Sequence, residues 1–79
     1  MRKTPKLPYR TPEEIKALRK RVDMVQTEFW APLGVTQSGG SRYEAGRKIP
    51  RSVQLLLAVT YGSSAQSQAA IDYLRSWKA

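Results

Sequence analysis

The chain has 79 residues, with 14 Lys and Arg against 6 Asp and Glu for a net charge of +8, and it contains neither Cys nor His. So short a chain buries only about 60 to 65 % of its extended surface, which leaves little room for a catalytic cleft. Without Cys there is no disulfide or thiolate metal site, and without His the commonest metal ligand and general base are missing, so the expectation is a non-enzyme with no metal and no cofactor.

Residues 1–10 hold Pro5, Pro8 and four bases, Arg2, Lys3, Lys6 and Arg10, with no acid and only scattered apolar residues. That composition predicts a basic, flexible arm. The first helix starts at Thr11 as cap, with Pro12 at the first position and Glu14 three residues on, as a capping box needs. Ile15, Leu18 and Val22 follow at spacings of three and four, and this helix should end near Asp23. A second helix is predicted over about 26–31, ending toward Leu33-Gly34, because Phe29 and Leu33 are four apart and Gly34 can adopt the left-handed conformation. Thr36 then caps a third helix that runs to about Ala45, with Gly46 closing it. A fourth helix, 52–61, is dense in Val53, Leu56, Leu57 and Val59; Gly62-Ser63-Ser64 breaks it, and a last helix follows over about 65–77. The result is an all-α, compact bundle of about five short helices.

The charge excess draws in polyanions, with nucleic acid as first candidate and an anionic membrane as second. The stretch from Arg42 to Arg51 adds four bases against Glu44 alone. No apolar run nears the ~18 residues of a membrane span, and the first ten residues lack the apolar stretch of a signal peptide. The expectation is a cytoplasmic protein, bacterial or in a phage-infected host, with no membrane partner. The carboxylates Glu13, Glu14, Asp23, Glu28, Glu44 and Asp72 have neither metal-site nor acid–base spacing, and Glu13-Glu14 belongs to the helix start.

From Gln26 to Pro50 the chain reads QTEFWAPLGVTQSGGSRYEAGRKIP, and here it resembles the Cro/repressor (XRE-type) helix-turn-helix family. The pattern rests on Gln26 opening the second helix, Phe29 and Leu33 in the core, Gly34 in the turn, Val35 at the junction, then Ser41, Tyr43-Glu44, Gly46 and Pro50. With the flanking LRKR and LLLA it covers about 15–61, and its FW…GVTQSGGSRYE variant is similar to small regulators of phage and mobile-element origin, some encoded beside anti-CRISPR genes. The resemblance implies a helix-turn-helix at about 26–45 inside a DNA-binding domain at 11–62, with the 63–79 helix as a possible dimer contact. It implies that Gln26 holds a phosphate and that the third helix reads bases in the major groove. Gln37, Ser38, Ser41 and Arg42 share one flank of that helix and are the candidate base readers, since Gln pairs with adenine and Arg with guanine. Thr36, Arg47, Lys48 and Arg51 are the candidate phosphate contacts. Arg2, Lys3, Lys6 and Arg10 fit a solubilising tail and an arm entering the minor groove equally well.

Several residues depart from the family pattern. Pro32 falls within the second helix and predicts a kink or an early end there. Trp30 stands where the family has a small Ala, and Gly40 where it has a buried Val or Ile, which predicts that the indole fills the space left by Gly40. Gly39-Gly40 should loosen the start of the third helix, and Val25 is a poor cap. Glu44 is expected to pair with a base from the first helix or the following loop. Ala70, Ile71, Leu74 and Trp77 lie on one side of the last helix and either complete the core or form a symmetric contact. Of the two states a homodimer is expected, because one reading helix rarely supplies enough affinity. The functional expectation is a double-stranded DNA-binding regulator, an autorepressor on an inverted repeat. The alternatives are an antitoxin-type module that also holds a protein partner, and a basic RNA-binding or structural protein, which the lack of an aromatic platform disfavours.

Overall fold

The structure, a computed structural model, describes residues 5–76. Five α-helices run in order: α1 Pro12–Arg21, α2 Gln26–Trp30, α3 Gln37–Glu44, α4 Arg51–Tyr61 and α5 Ser64–Leu74, with a 3-10 turn at Ala31–Leu33 after α2. No strand occurs among the described residues, so the fold is the all-helical bundle expected.

α1 begins as its sequence dictates. Thr11 Oγ1 accepts from Glu14 N at 3.2 Å while Glu14 Oε1 accepts from the N–H groups of Thr11 and Arg10, each at 3.0 Å. Those donors, the Arg10 amide foremost, hold the Glu14 carboxyl below its ordinary value against the opposing effect of burial. Ile15 and Leu18 are buried, and after the helix Asp23 takes a left-handed φ of 57° that turns the chain toward α2.

α2 stops where Pro32 withholds its N–H. The helix tightens into the 3-10 turn, and Gly34, at φ 73°, reverses the chain toward α3. The Phe29 carbonyl accepts from the Tyr61 hydroxyl at 2.6 Å, with the two rings stacked 4.4 Å apart. Val25 offers no side-chain oxygen to cap α2, yet Glu28 Oε1 accepts from its N–H, so half of a capping box forms.

α4 lies between two apolar clusters. Val53 and Leu57 join Ile15, Leu18, Phe29, Trp30, Leu33 and Ile49 on one side. On the other, Leu55 and Ala58 meet Ala70 of α5. Leu56, read from its sequence as part of the dense apolar stretch, is 38 % exposed.

The arm expected over 1–10 requires correction for its second half. Leu7 is buried with Leu55, Ala58 and Ala70, while Tyr9 belongs to the main core. The Tyr9 hydroxyl also accepts from Arg21 at 3.1 Å. This stretch is extended but packed, because two apolar side chains on alternate residues suffice to seat it. α5 begins one residue earlier than expected, with a reciprocal Ser63–Gln66 capping box.

Candidate nucleic-acid interface

Thr36 caps α3, its Oγ1 accepting from Gly39 N at 3.1 Å, which satisfies one of the first-turn amides and leaves the hydroxyl proton free to donate outward. From this start the helix divides into two faces. Gln37, Ser38, Ser41 and Arg42 are exposed and together line one open depression. Gly40 and Glu44 are buried on the opposite side, with Tyr43 half-buried beside them.

The inward face meets Trp30, whose side chain is wholly buried. A Cβ on Gly40 would fall inside the van der Waals envelope of the indole Cγ, Cδ1 and Nε1, so the indole occupies the space that Gly40 leaves, as expected. Phe29 meets the indole edge-on at 5.1 Å between centroids, and Tyr43 approaches it at 5.6 Å.

Glu44 closes the same face. Arg19 Nε lies 3.1 and 3.2 Å from its two oxygens and Arg19 Nη2 2.9 Å from Oε1, while Trp30 Nε1 donates to Oε2 at 2.9 Å. Arg19 also donates to the Met24 carbonyl, which ties the α1–α2 link to the pair. Burial alone would raise the Glu44 carboxyl; the hydrogen bonds from Arg19, Trp30 and the Gln26 side chain, with the Arg19 charge, outweigh it and leave the group below its ordinary value. The acid within this basic stretch is therefore spent inside the fold, in a pair with a base of the first helix. The outer surface of α3 and its following loop keeps Arg42, Arg47 and Lys48 exposed, with Arg51 at the start of α4.

Among the other anticipated positions, Gln26 is half-buried at the first residue of α2, and Lys6 and Arg10 are exposed. Arg2, Lys3 and Trp77 lie outside the described residues. On α5, Ala70 completes the core, Ile71 is half-buried and Leu74 is 43 % exposed. Sequence reasoning missed the Tyr61 hydroxyl on Phe29 and the indole N–H on Glu44. The first needed the approach of α4 to α2; for the second, an acid 14 residues from a Trp was the only signal. No described helix is long and apolar enough to cross a membrane.

The family model of the RsaL-like HTH domain matches residues 16–60, more than half of the chain. It spans most of α1 and nearly all of α4, and so contains the whole of the two-faced α3 and its brace. No curated protein and no solved structure gives a significant match.

Proposed function

The chain belongs to the RsaL-like helix-turn-helix domain family, a DNA-binding regulator family, and on that premise we propose that it represses its own promoter as a dimer on an inverted repeat. α3 lies in the major groove in the Cro/repressor manner, with Gln37, Ser38, Ser41 and Arg42 on base edges. Gln26 and Thr36 at the helix starts, and Arg47, Lys48 and Arg51 after α3, take the phosphates. The observation that carries this reading is the division of α3: four exposed polar residues on one flank, and every inward residue committed to Trp30 or Arg19. That flank carries the Arg42 cation and no acid, which suits a polyanionic partner.

Dimerisation follows from economy of contact, since one short reading helix supplies few base contacts and two-fold pairing places a second about 34 Å away. The half-exposed Ile71 and exposed Leu74 of α5 are the surface proposed for that contact, together with Trp77.

The test is a gel-shift titration with DNA from upstream of the protein's own gene against a scrambled duplex, at about 150 mM salt. Preference for the upstream duplex, with affinity falling about a thousandfold or more between 50 and 200 mM salt as 6 to 10 phosphates are neutralised, is the expected result. Equal binding to both duplexes, or a flat salt response, overturns the proposal.

A further inference from the structure

On the DNA-reading role proposed for α3, we infer that Trp30 is the positioning residue of that helix: its ring seats Gly40 and its N–H fixes Glu44, so one side chain of α2 sets where the reading flank lies. α3 has eight residues, and Gly40 and Glu44, four apart, stand one above the other on its inner side. Both touch Trp30, one through the indole ring and the other through a 2.9 Å hydrogen bond, and Tyr43 packs on the same ring.

Apolar contact is non-directional and leaves a short helix free to slide or roll by fractions of an ångström. A hydrogen bond to a carboxylate is directional, and this carboxylate is gripped from its other side by Arg19 of α1. The Gln26 side chain also helps to hold the same carboxylate below its ordinary value, so the start of α2 lies beside the end of the reading helix. Gln37, Ser38, Ser41 and Arg42 project from the opposite flank of the same two turns. Any shift of the inner face is passed to them undiminished, and productive contacts tolerate only about 0.5 Å.

Trp30→Phe removes the N–H and part of the ring but no charge. The probe is the duplex that wild type enriches from a random-sequence pool, compared with a scrambled duplex of equal length, at a temperature where circular dichroism shows each protein folded. The variant should lose roughly tenfold to a hundredfold in preference, the equivalent of one misaligned bidentate base contact, with affinity for the scrambled duplex and the salt slope unchanged. Should Trp30→Phe not fold, 3-benzothienylalanine incorporated at position 30 alone keeps the ring volume and lacks only the donor, and the same loss is expected. A side chain that served stability alone would lower the melting temperature and leave the preference of the folded protein intact. Unaltered preference in a folded variant therefore overturns the inference while the regulator reading stands. Enrichment of no sequence by wild type overturns both.

Discussion

Adjacent glycines in α3 should respond to alanine with opposite signs. In a helix interior, Ala is favoured over Gly by about 1 kcal/mol. At Gly39 a Cβ would lie 3.3 Å from both Thr36 Oγ1 and Val35 Cγ1, a tight fit that small adjustments at the half-buried Val35 and exposed Thr36 can relieve. At Gly40 it would overlap the indole of Trp30, which is wholly buried and hemmed in by Phe29 and Tyr43. Overpacking of that kind costs about 1 to 3 kcal/mol, and with no room for the indole the upper end applies. Gly39→Ala should therefore be near neutral or stabilising, while Gly40→Ala loses about 2 kcal/mol after its propensity gain is deducted. At about 4 to 8 °C per kcal/mol for a domain of this size, the two variants should differ by roughly 10 to 20 °C in melting temperature. Thermal unfolding followed by circular dichroism at 222 nm reads the difference. Equal melting temperatures, or a Gly40→Ala variant as stable as wild type, would refute the interlock of Trp30 with α3.

Glu44→Gln leaves the Arg19 guanidinium, 26 % exposed, without its counter-charge. It should cost roughly 2 to 3 kcal/mol near pH 7, below the figure for a fully buried pair because Gln keeps one acceptor and water reaches Arg19. Because the folded-state carboxyls of Glu44 and Glu14 lie below their ordinary value of 4.5, their stabilisation is complete above that pH and disappears as pH falls through the folded values. Melting temperature against pH should thus fall less steeply below 4.5 in Glu44→Gln, and an acid limb identical to wild type would contradict the assignment. Tyr61→Phe keeps the stack on Phe29 but leaves the Phe29 carbonyl without its hydroxyl donor, an expected loss of about 1 to 3 kcal/mol by urea denaturation. Burial raises the Tyr61 phenol above 10.0, so this residue's contribution is whole below that pH and is lost above it; the variant should be less sensitive than wild type to strongly alkaline pH. Leu7→Ala should cost about 2 to 3 kcal/mol and speed amide exchange in α5, whose cluster it completes; unchanged exchange would show that the N-terminal stretch does not brace α5.

Much of this was legible because the signals are local or carry a compensating pair. The capping box at Thr11 and Glu14, the end of α2 at Pro32 and the left-handed Gly34 each depend on residues within one turn. The contact of Trp30 with Gly40 could be read because a large-for-small exchange on one helix demands its reverse on the facing one. That Glu44 pairs with a base from the first helix or the following loop could be read from the cost of an acid in a basic stretch, while its partner Arg19 needed the docked α1. What escaped the sequence lacked periodicity: Leu7 and Tyr9 sit in a proline-broken, basic stretch with no helical spacing, yet α4 and α5 bury Leu7 and the main core takes Tyr9. The Tyr61 hydroxyl found the Phe29 carbonyl, 32 residues away, a match visible only once α4 is docked. The Ser63–Gln66 capping box was present in the sequence, but Gly62 before it reads first as a breaker.

The central claim is that the exposed flank of α3 reads base edges, and a parallel selection from a random duplex pool with wild type and Arg42→Ala tests it most directly. Wild type should enrich a two-fold symmetric motif, and Arg42→Ala the same motif with information lost at one guanine position per half-site, at a cost of about 1 to 3 kcal/mol for that base. An Arg42→Ala motif identical to that of wild type, or no enrichment by wild type, would contradict the account.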